Sequence, residues 1–497
     1  MLYFLHTFGC QMNASDSERL TAVLEGLGYK PAIDENKADL ILFNTCSIRK
    51  KAEDRVYSKL SDLKALKKKN PKLLIGVTGC MTRSSGIRNS KAKPRDPLFR
   101  IKMIDFVFRI DDLARLGELL KEAQPSLKLK LEKGVEAAKK DYFTIAPKRV
   151  SAAQAWIPIQ TGCDKFCTYC IVPFSRRREH SRPMDEVLAE CKEAVEKGAT
   201  EIVLLGQTVD SYGLSVADKL SGHFPQHTGI PNVVFNSQIF GKGKNAMASS
   251  RAVKKLEKTE RPFLTLLREI DKLHKNGLRR LRFLSPHPHD FCEELVRLHK
   301  ELKTLQPYFH LPVQAGSDAV LKAMRRTYTA SHYLNLIDII RKYLPDAAIS
   351  TDIIVGFPGE TEADFKKTCT LAKKVKWDMV YLAMFSPRKG TYAEKHLKDD
   401  VLFEEKKRRF AVLNEILKKG MAARNKPYLG QVVEVLVEKQ KGDRYSGRTP
   451  HFKEVFFTKK SVKNCKSLIG SYVRVKITKI ESFYLEGAKV GNLKILW

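Results

Sequence analysis

The sequence predicts an α/β protein with three folded parts, and three patterns predict it. Residues 1–122 alternate strand-like runs with amphipathic helices, which argues a parallel sheet with helices on its faces. Residues 149–425 repeat the strand–helix series roughly six times, short of the eight units of a closed barrel, which argues a partial (β/α)6 barrel. Residues 428–497 break into short β-rich stretches separated by Gly and charged turns, which argues a small β-barrel.

In the first part, Leu2–His6, Leu40–Asn44 and Leu73–Thr78 read as strands. Ser15–Leu27, Ala52–Lys68 and Asp112–Glu122 read as helices. The order is that of a flavodoxin-like sheet. A cysteine follows each strand: Cys10 in His-Thr-Phe-Gly-Cys, Cys46 in Phe-Asn-Thr-Cys and Cys80 in Val-Thr-Gly-Cys. The carboxyl ends of parallel strands lie on one edge of a sheet, where ligands bind, so three cysteines distant in sequence can converge there. Gly9 and Gly79 would let the backbone approach a bulky group. Three separate buried core cysteines are the plainer alternative. Residues 86–104 read as a basic surface insertion, and residues 123–148 as a Lys-rich linker.

In the second part, strands are expected at Ile157–Gln160, Glu201–Leu205, Leu281–Leu284, Phe309–Val313, Ala348–Val355 and Val380–Phe385. Chemistry in such folds sits on the loops after the strands. The loops here hold Cys163-Asp-Lys-Phe-Cys167-Thr-Tyr-Cys170, Gly206-Gln207, Ser285-Pro-His-Pro288, Gln314–Asp318 and Gly356–Glu360. Three cysteines within eight residues, spaced C-x3-C-x2-C, point to a metal. Three is one short of a closed zinc site, whereas a [4Fe-4S] cube held by three thiolates keeps one iron open to a chelating small molecule. A zinc knuckle completed from elsewhere, for instance by His180, is the alternative. Cys191 lies on the apolar face of a helix at Met184–Glu196 and reads as core. Residues 214–261 interrupt the series with a polar, Gly/Ser/Lys-rich excursion.

The chain has 497 residues, 90 Lys and Arg against 56 Asp and Glu, and a net charge of +34. That excess points to a polyanion, most simply RNA or DNA; a host proteome rich in lysine is the plainer alternative. Basic residues also outnumber acidic ones by about two to one in 428–497. No apolar run approaches the roughly 20 residues that span a bilayer, and the N-terminus reads as a strand rather than a signal peptide. The ten cysteines are therefore expected in a reducing, cytoplasmic setting, where metal binding is favoured over disulfides.

The segment from Thr161 to Pro183, TGCDKFCTYCIVPFSRRREHSRP, resembles the radical S-adenosylmethionine (SAM) methylthiotransferase family. Gly9–Asn13 (GCQMN), Asn44–Arg49 (NTCSIR) and Gly79–Cys80 resemble its N-terminal domain. Tyr445-Ser-Gly-Arg448 and its position resemble the OB-like, RNA-binding TRAM domain. The resemblance implies two [4Fe-4S] clusters, one on Cys163, Cys167 and Cys170 and an auxiliary one on Cys10, Cys46 and Cys80, facing each other across a domain junction. It implies SAM contacts at Tyr169, Gln207, Asp352 and Gly356. It implies that SAM, cleaved by one electron, gives a radical that removes hydrogen from an aromatic carbon, and that a second SAM methylates sulfur for insertion there. The motifs CQMN, NTCSIR, GQTVDSY and SPHP resemble the branch that modifies C2 of N6-isopentenyladenosine at position 37 of tRNA. The branch acting on N6-threonylcarbamoyladenosine and a non-catalytic RNA-binding iron–sulfur protein are the alternatives. Expected partners are the anticodon stem-loop of tRNA, an electron donor, and a sulfur donor or cluster-assembly machinery; no membrane is expected, and the chain is expected to be a monomer. The family has Gly where Arg177 stands. An Arg adopts positive φ only at a cost, which predicts a different path for that loop.

Overall fold

The computed structural model describes residues 1–47, 50–88, 96–129, 142–214, 261–458 and 467–492. The expected excursion at 214–261 therefore lies, except at its ends, outside the described residues. The chain divides into two compact units. The first comprises Met1–Arg182, Ile202–Gln207 and Ser386–Asp399; the second comprises Pro183–Glu201, Thr208–Phe385 and Asp400–Trp497.

The first unit is built on strands β1 (Leu2–Thr7), β2 (Lys30–Pro31), β3 (Leu40–Thr45), β4 (Leu74–Gly79), β5 (Gly86–Ile87) and β6 (Phe106–Val107). Among the described residues they form one sheet in the order β2-β1-β3-β4-β6-β5. Pairings through β6 are parallel, and only the edge strand β5 runs antiparallel. β3 and β4 are buried along their whole length, as a parallel sheet covered on both faces requires. Successive side chains of β3 alternate between two cores. Leu40 and Leu42 join Leu20, Leu24 and Phe108, while Ile41 and Phe43 join Val56, Leu60 and Val77. The helices Gln11–Gly26 and Lys50–Lys69 supply those opposite faces.

Two expectations need correction. Within 86–104, read as a surface insertion, Leu98, Met103 and Ile104 are buried in the second of these cores. Arg88 bonds the carbonyls of Phe99, Ile101 and Ile104, and the Asp96 carboxylate takes the backbone N–H groups of Arg83, Ser84 and Leu98. The basic composition masked apolar residues spaced to turn inward; residues 89–95 lie outside the described residues. Within the stretch read as linker, Tyr142, Phe143 and Ile145 pack into the first core.

The same unit carries β7 (Gln154–Pro158), β8 (Gln160–Thr161), β9 (His180–Ser181) and β10 (Glu201–Leu205). Ile159 N donates to Leu205 O at 2.9 Å, which ties the end of β7 to the end of β10. The antiparallel pair β8–β9 closes the neck of the loop that holds Cys163, Cys167 and Cys170.

The second unit continues the series with β11 (Arg280–Phe283), β12 (Tyr308–His310), β13 (Ala348–Val355) and β14 (Met379–Met384). β12, β13 and β14 are parallel neighbours, and a parallel bridge from Leu281 to Leu305 leads from β11 toward them. β11–β14 coincide with the last four of the six strands expected in the central part of the chain, and β7 and β10, in the first unit, with the first two.

The helix Phe403–Asn425 then leads to β15 (Val432–Lys441), β16 (Arg444–Arg448), β17 (Glu454–Thr458), β18 (Tyr472–Ile480) and β19 (Leu485–Asn492). Among the described residues these five close into a barrel in the order β15-β16-β17-β19-β18, around Val435, Val437, Phe457, Val473, Val475 and Leu485. β16, Arg-Tyr-Ser-Gly-Arg, offers few apolar residues. Gly447 makes it a strand: a Cβ there would meet Leu436 O at 2.0 Å.

The small barrel is seated on the amino-terminal edge of the larger strands. Buried Glu201 pairs with Arg282 (3.1 Å) and Arg280 (3.8 Å). Arg280 reaches Glu434 and the Arg448 carbonyl, and Arg282 reaches the carbonyls of Thr449 and Pro450. Lys453 pairs with Asp378 at 2.8 Å, and Phe452 stacks on Tyr308.

The second unit also carries an acid-sensitive group. His299, on the helix Glu293–Glu301, is buried with its ring 4.5 Å from that of Phe309, and its Nδ1 bonds Leu295 O at 2.8 Å. Burial pushes its pKa from 6.5 down to about 4. Between those values the unfolded chain binds the extra proton and the folded chain does not, so stability present at neutral pH is lost as pH falls from about 6.5 to about 4. The full difference is worth about 3 kcal/mol. His299→Leu is expected to flatten the dependence of unfolding free energy on pH in that window, as measured by urea titration of the apoprotein. An unchanged slope refutes this assignment.

Candidate functional site

The three strand-end cysteines sit in backbone that is locked together. Gly9 has φ +151°, and a Cβ there would lie 2.9 Å from Cys46 Cβ and 2.1 Å from Asn13 Oδ1. Cys10 then caps the helix Gln11–Gly26, its N–H donating to Asn13 Oδ1 at 3.3 Å. Asn13 Nδ2 donates to Asn44 Oδ1 and to Thr45 O, and Asn44 Nδ2 donates back to Asn13 O at 2.7 Å. Cys80 N donates to Thr45 O at 2.8 Å, and Thr45 Oγ1 donates to Thr78 O at 2.6 Å. Gly79 has φ +90°, and a Cβ would meet Thr45 O at 2.3 Å. The chain segments carrying Cys10, Cys46 and Cys80 are therefore bonded to one another at the carboxyl edge of β1, β3 and β4. Cys46 and Cys80 are buried and Cys10 is exposed.

The second trio is shaped by its own loop. Gly162, at φ +77°, has Arg178 O only 2.1 Å from where a Cβ would stand. Cys163 N donates to Arg177 O at 3.3 Å, Lys165 N to Cys163 Sγ at 3.5 Å, and Cys170 N to Cys167 O at 2.9 Å. Arg178 clamps the loop from outside through Asp164 at 2.6 Å and over the Phe166 ring. Cys163 and Cys167 are buried, and Cys170 is half-buried. His180, the alternative fourth zinc ligand, is an exposed residue of β9.

Arg177 departs from the expectation of an altered loop path. It takes φ +63°, the left-handed conformation that a glycine would supply. Its side chain lies near Asp111 (3.5 Å) and Asp112 (3.8 Å). The backbone shape, which aims Arg177 O at Cys163 N, is kept at a local cost of about 1–2 kcal/mol. Arg177→Gly is expected to leave stability within about 1 kcal/mol, because strain relief offsets the lost surface pairs and the added chain entropy. A β-branched Arg177→Val should cost about 2 kcal/mol and lower iron uptake on anaerobic reconstitution. Equal iron in all three proteins refutes the dependence on φ.

Arg176, six residues after Cys170 in the chain, is buried with its partner Asp16. Its Nη2 pairs with Asp16 Oδ2 at 2.5 Å, its Nε donates to Cys80 Sγ at 3.5 Å, and Tyr142 Oη donates to Asp16 Oδ1 at 2.6 Å. Arg176 Nη1 is buried with no hydrogen-bond partner among the described residues.

Cys163, Cys167 and Cys170 supply three thiols of the kind that hold a [4Fe-4S] cluster, and Cys163 feels the other two, as Cys10 feels Cys80; among the described residues no three His, Cys, Asp or Glu side chains are placed to share a single ion. Burial, and then the neighbouring Cys167 and Cys170, push the Cys163 thiol up; a cationic iron core would let the three ionise together. The buried orphan donor on Arg176 suits a sulfur-rich guest.

Tyr169 and Gln207 belong to the first unit, and Asp352 and Gly356 to the second. Gln207 Oε1 is buried without a partner among the described residues. Asp352 lies 3.5 Å from His310 Nε2 on the neighbouring strand. Gly356, at φ +68°, is backed by Lys406, whose Cγ is 2.4 Å from where a Cβ would be. Sequence reasoning passed over Arg176, Asp16, Asn13 and Asn44 as individual residues. Asn13 and Asn44 lie inside GCQMN and NTCSIR, which was the available signal; Asp16 had none beyond its place on a helix.

Residues 157–372 match the family model described as the Radical SAM superfamily, residues 2–99 match Uncharacterized protein family UPF0004, and residues 426–490 match the TRAM domain. Among curated proteins, tRNA-2-methylthio-N(6)-dimethylallyladenosine synthase of Clostridium tetani is 38% identical over 98% of this chain and 96% of its own length. The proteins of the same name from Carboxydothermus hydrogenoformans (37% identical, 98% of this chain, 99% of its own length) and Bacillus subtilis (36%, 99% and 86%) are similar. On full-length identity at this level, the chain belongs to the tRNA-2-methylthio-N(6)-dimethylallyladenosine synthase family.

Proposed function

We propose that the protein is a radical SAM tRNA methylthiotransferase that places a methylthio group on C2 of N6-isopentenyladenosine at position 37. The observation that carries this reading is the pair of three-cysteine sets, Cys163/Cys167/Cys170 and Cys10/Cys46/Cys80, each one ligand short of closing a cube. One [4Fe-4S] cluster would be held by each set. Such a cluster with an open iron supplies the electron that cleaves the sulfonium of SAM, the source of a radical able to take hydrogen from an unactivated ring carbon.

The chain's own residues would hold and orient. Tyr169, Gln207, Asp352 and Gly356 would line SAM. The exposed Lys439, Lys441, Arg444, Arg474, Lys476 and Lys479 of the small barrel would contact the phosphates of the anticodon stem-loop, which fixes register without reading bases. Burial of Cys163 and Cys167 would shield those two sulfurs from bulk water. An electron donor and a sulfur donor or cluster-assembly system complete the reaction, in the reducing environment of the cytoplasm; no described helix is long and apolar enough to cross a membrane. Mass spectrometry of tRNA nucleosides from cells with and without the gene tests the proposal. The 2-methylthio derivative of isopentenyladenosine should disappear with the gene and its unmodified precursor should accumulate. Loss of 2-methylthio-threonylcarbamoyladenosine instead would assign the sibling substrate, and an unchanged nucleoside profile would reject both.

A further inference from the structure

Arg176 is a full positive charge buried beside a cysteine that the mechanism treats only as a ligand. Three of its features have no structural explanation within the first core. It donates through Nε to Cys80 Sγ at 3.5 Å. Its charge is paired with Asp16, which the Tyr142 hydroxyl also holds, and acts on Asp111 as well. Its Nη1 is a buried donor with no partner among the described residues, an arrangement that ordinarily destabilises a fold. Arg176 also follows Cys170 by only six residues, so the contact links the loop of one cysteine set to a ligand of the other.

We infer that Arg176 is a positioning residue that sets the reduction potential of the cluster on Cys10, Cys46 and Cys80, donating through Nε to the Cys80 sulfur and through Nη1 to a further sulfur of that cluster. This rests on the two-cluster reading. Hydrogen bonds to cluster sulfurs and nearby positive charge favour the reduced, more negative state and raise the potential. Asp16 opposes this by taking part of the charge, and Tyr142 holds Asp16 in place. The two residues thus act with opposite sign on one quantity, which a purely structural ion pair does not do.

The test uses the full chain with Cys163, Cys167 and Cys170 all changed to Ala, so that only the cluster in question is loaded. Iron and sulfide per chain are measured first. The reduced fraction is then read by electron paramagnetic resonance during a mediated dithionite titration. Removing Arg176 alone would strand a buried carboxylate, so the main variant is Asp16→Asn with Arg176→Met. At the parent's midpoint potential, the ratio of reduced to oxidised cluster is expected to fall about tenfold in that double variant, equivalent to about 59 mV for a one-electron couple. Asp16→Asn alone should raise the ratio, and Arg176→Lys should keep it within about threefold of the parent. A loaded double variant whose ratio does not move overturns the inference, as does a fall in the Lys variant equal to that in the Met variant. Failure of the triple-Cys parent itself to bind iron overturns the two-cluster reading and the inference with it. Lower iron content with an unshifted potential means a structural role only, and also overturns it.

Discussion

Changing Cys46 to Ala is expected to lower the iron and sulfide of the anaerobically reconstituted protein from two clusters' worth to one, and to abolish methylthio product by at least about 100-fold, since even outer-shell changes at metal sites cost 10–100-fold. SAM cleavage to 5′-deoxyadenosine under dithionite should persist. Cys167→Ala is the mirror image: one cluster's worth of iron again, but no 5′-deoxyadenosine. The physical ground is the local build. Cys46 is buried directly after β3, its backbone neighbour Thr45 is bonded by Cys80 N, and its Cβ faces Gly9. An Ala fits that space, so the fold should survive while a thiolate is lost. Iron unchanged in both variants, or 5′-deoxyadenosine lost in both, would refute the division of ligands.

Glu201→Leu is expected to destabilise the second unit by about 3–5 kcal/mol, the cost of leaving buried charges without their counterion. Glu201, Arg280 and Arg282 have side chains only 1–2% exposed, and burial already pulls the Arg282 pKa down. The melting temperature of the apoprotein should fall by about 10 °C. Glu434→Ala, at a carboxylate that is 27% exposed, should cost no more than about 1 kcal/mol. Equal losses at the two sites would show that burial does not govern this network.

The regular parts of the fold were legible because their periodicity is simple. β3 begins with four apolar residues and β4 with Leu-Ile, and the expected bounds agree with each strand to within about a residue. The helix after Cys10 was placed four residues late, since Gln-Met-Asn-Ala carries little amphipathic signal; its start is fixed by the Asn13 cap rather than by an apolar face. β16 and the short strands β2, β5 and β6 were missed, because two-residue pairings and Ser-Gly strands depend on neighbours that no local window contains. The cysteine sets stood out through spacing and through their place after strands. Arg176 did not, because in a run of three arginines nothing local says which one turns inward. Only the packed chain separates buried Arg176 from Arg177 and Arg178, whose side chains are 59% and 50% exposed.

The seat of the small barrel has one more consequence. Arg280 and Arg282 grip the carbonyls of Arg448, Thr449 and Pro450, groups that every amino acid provides. Attachment at that turn is thus written largely in its backbone shape. A change at Pro450 would therefore leave that grip in place, whereas Phe452 and Lys453 hold the mount through their own side chains and are tied to it.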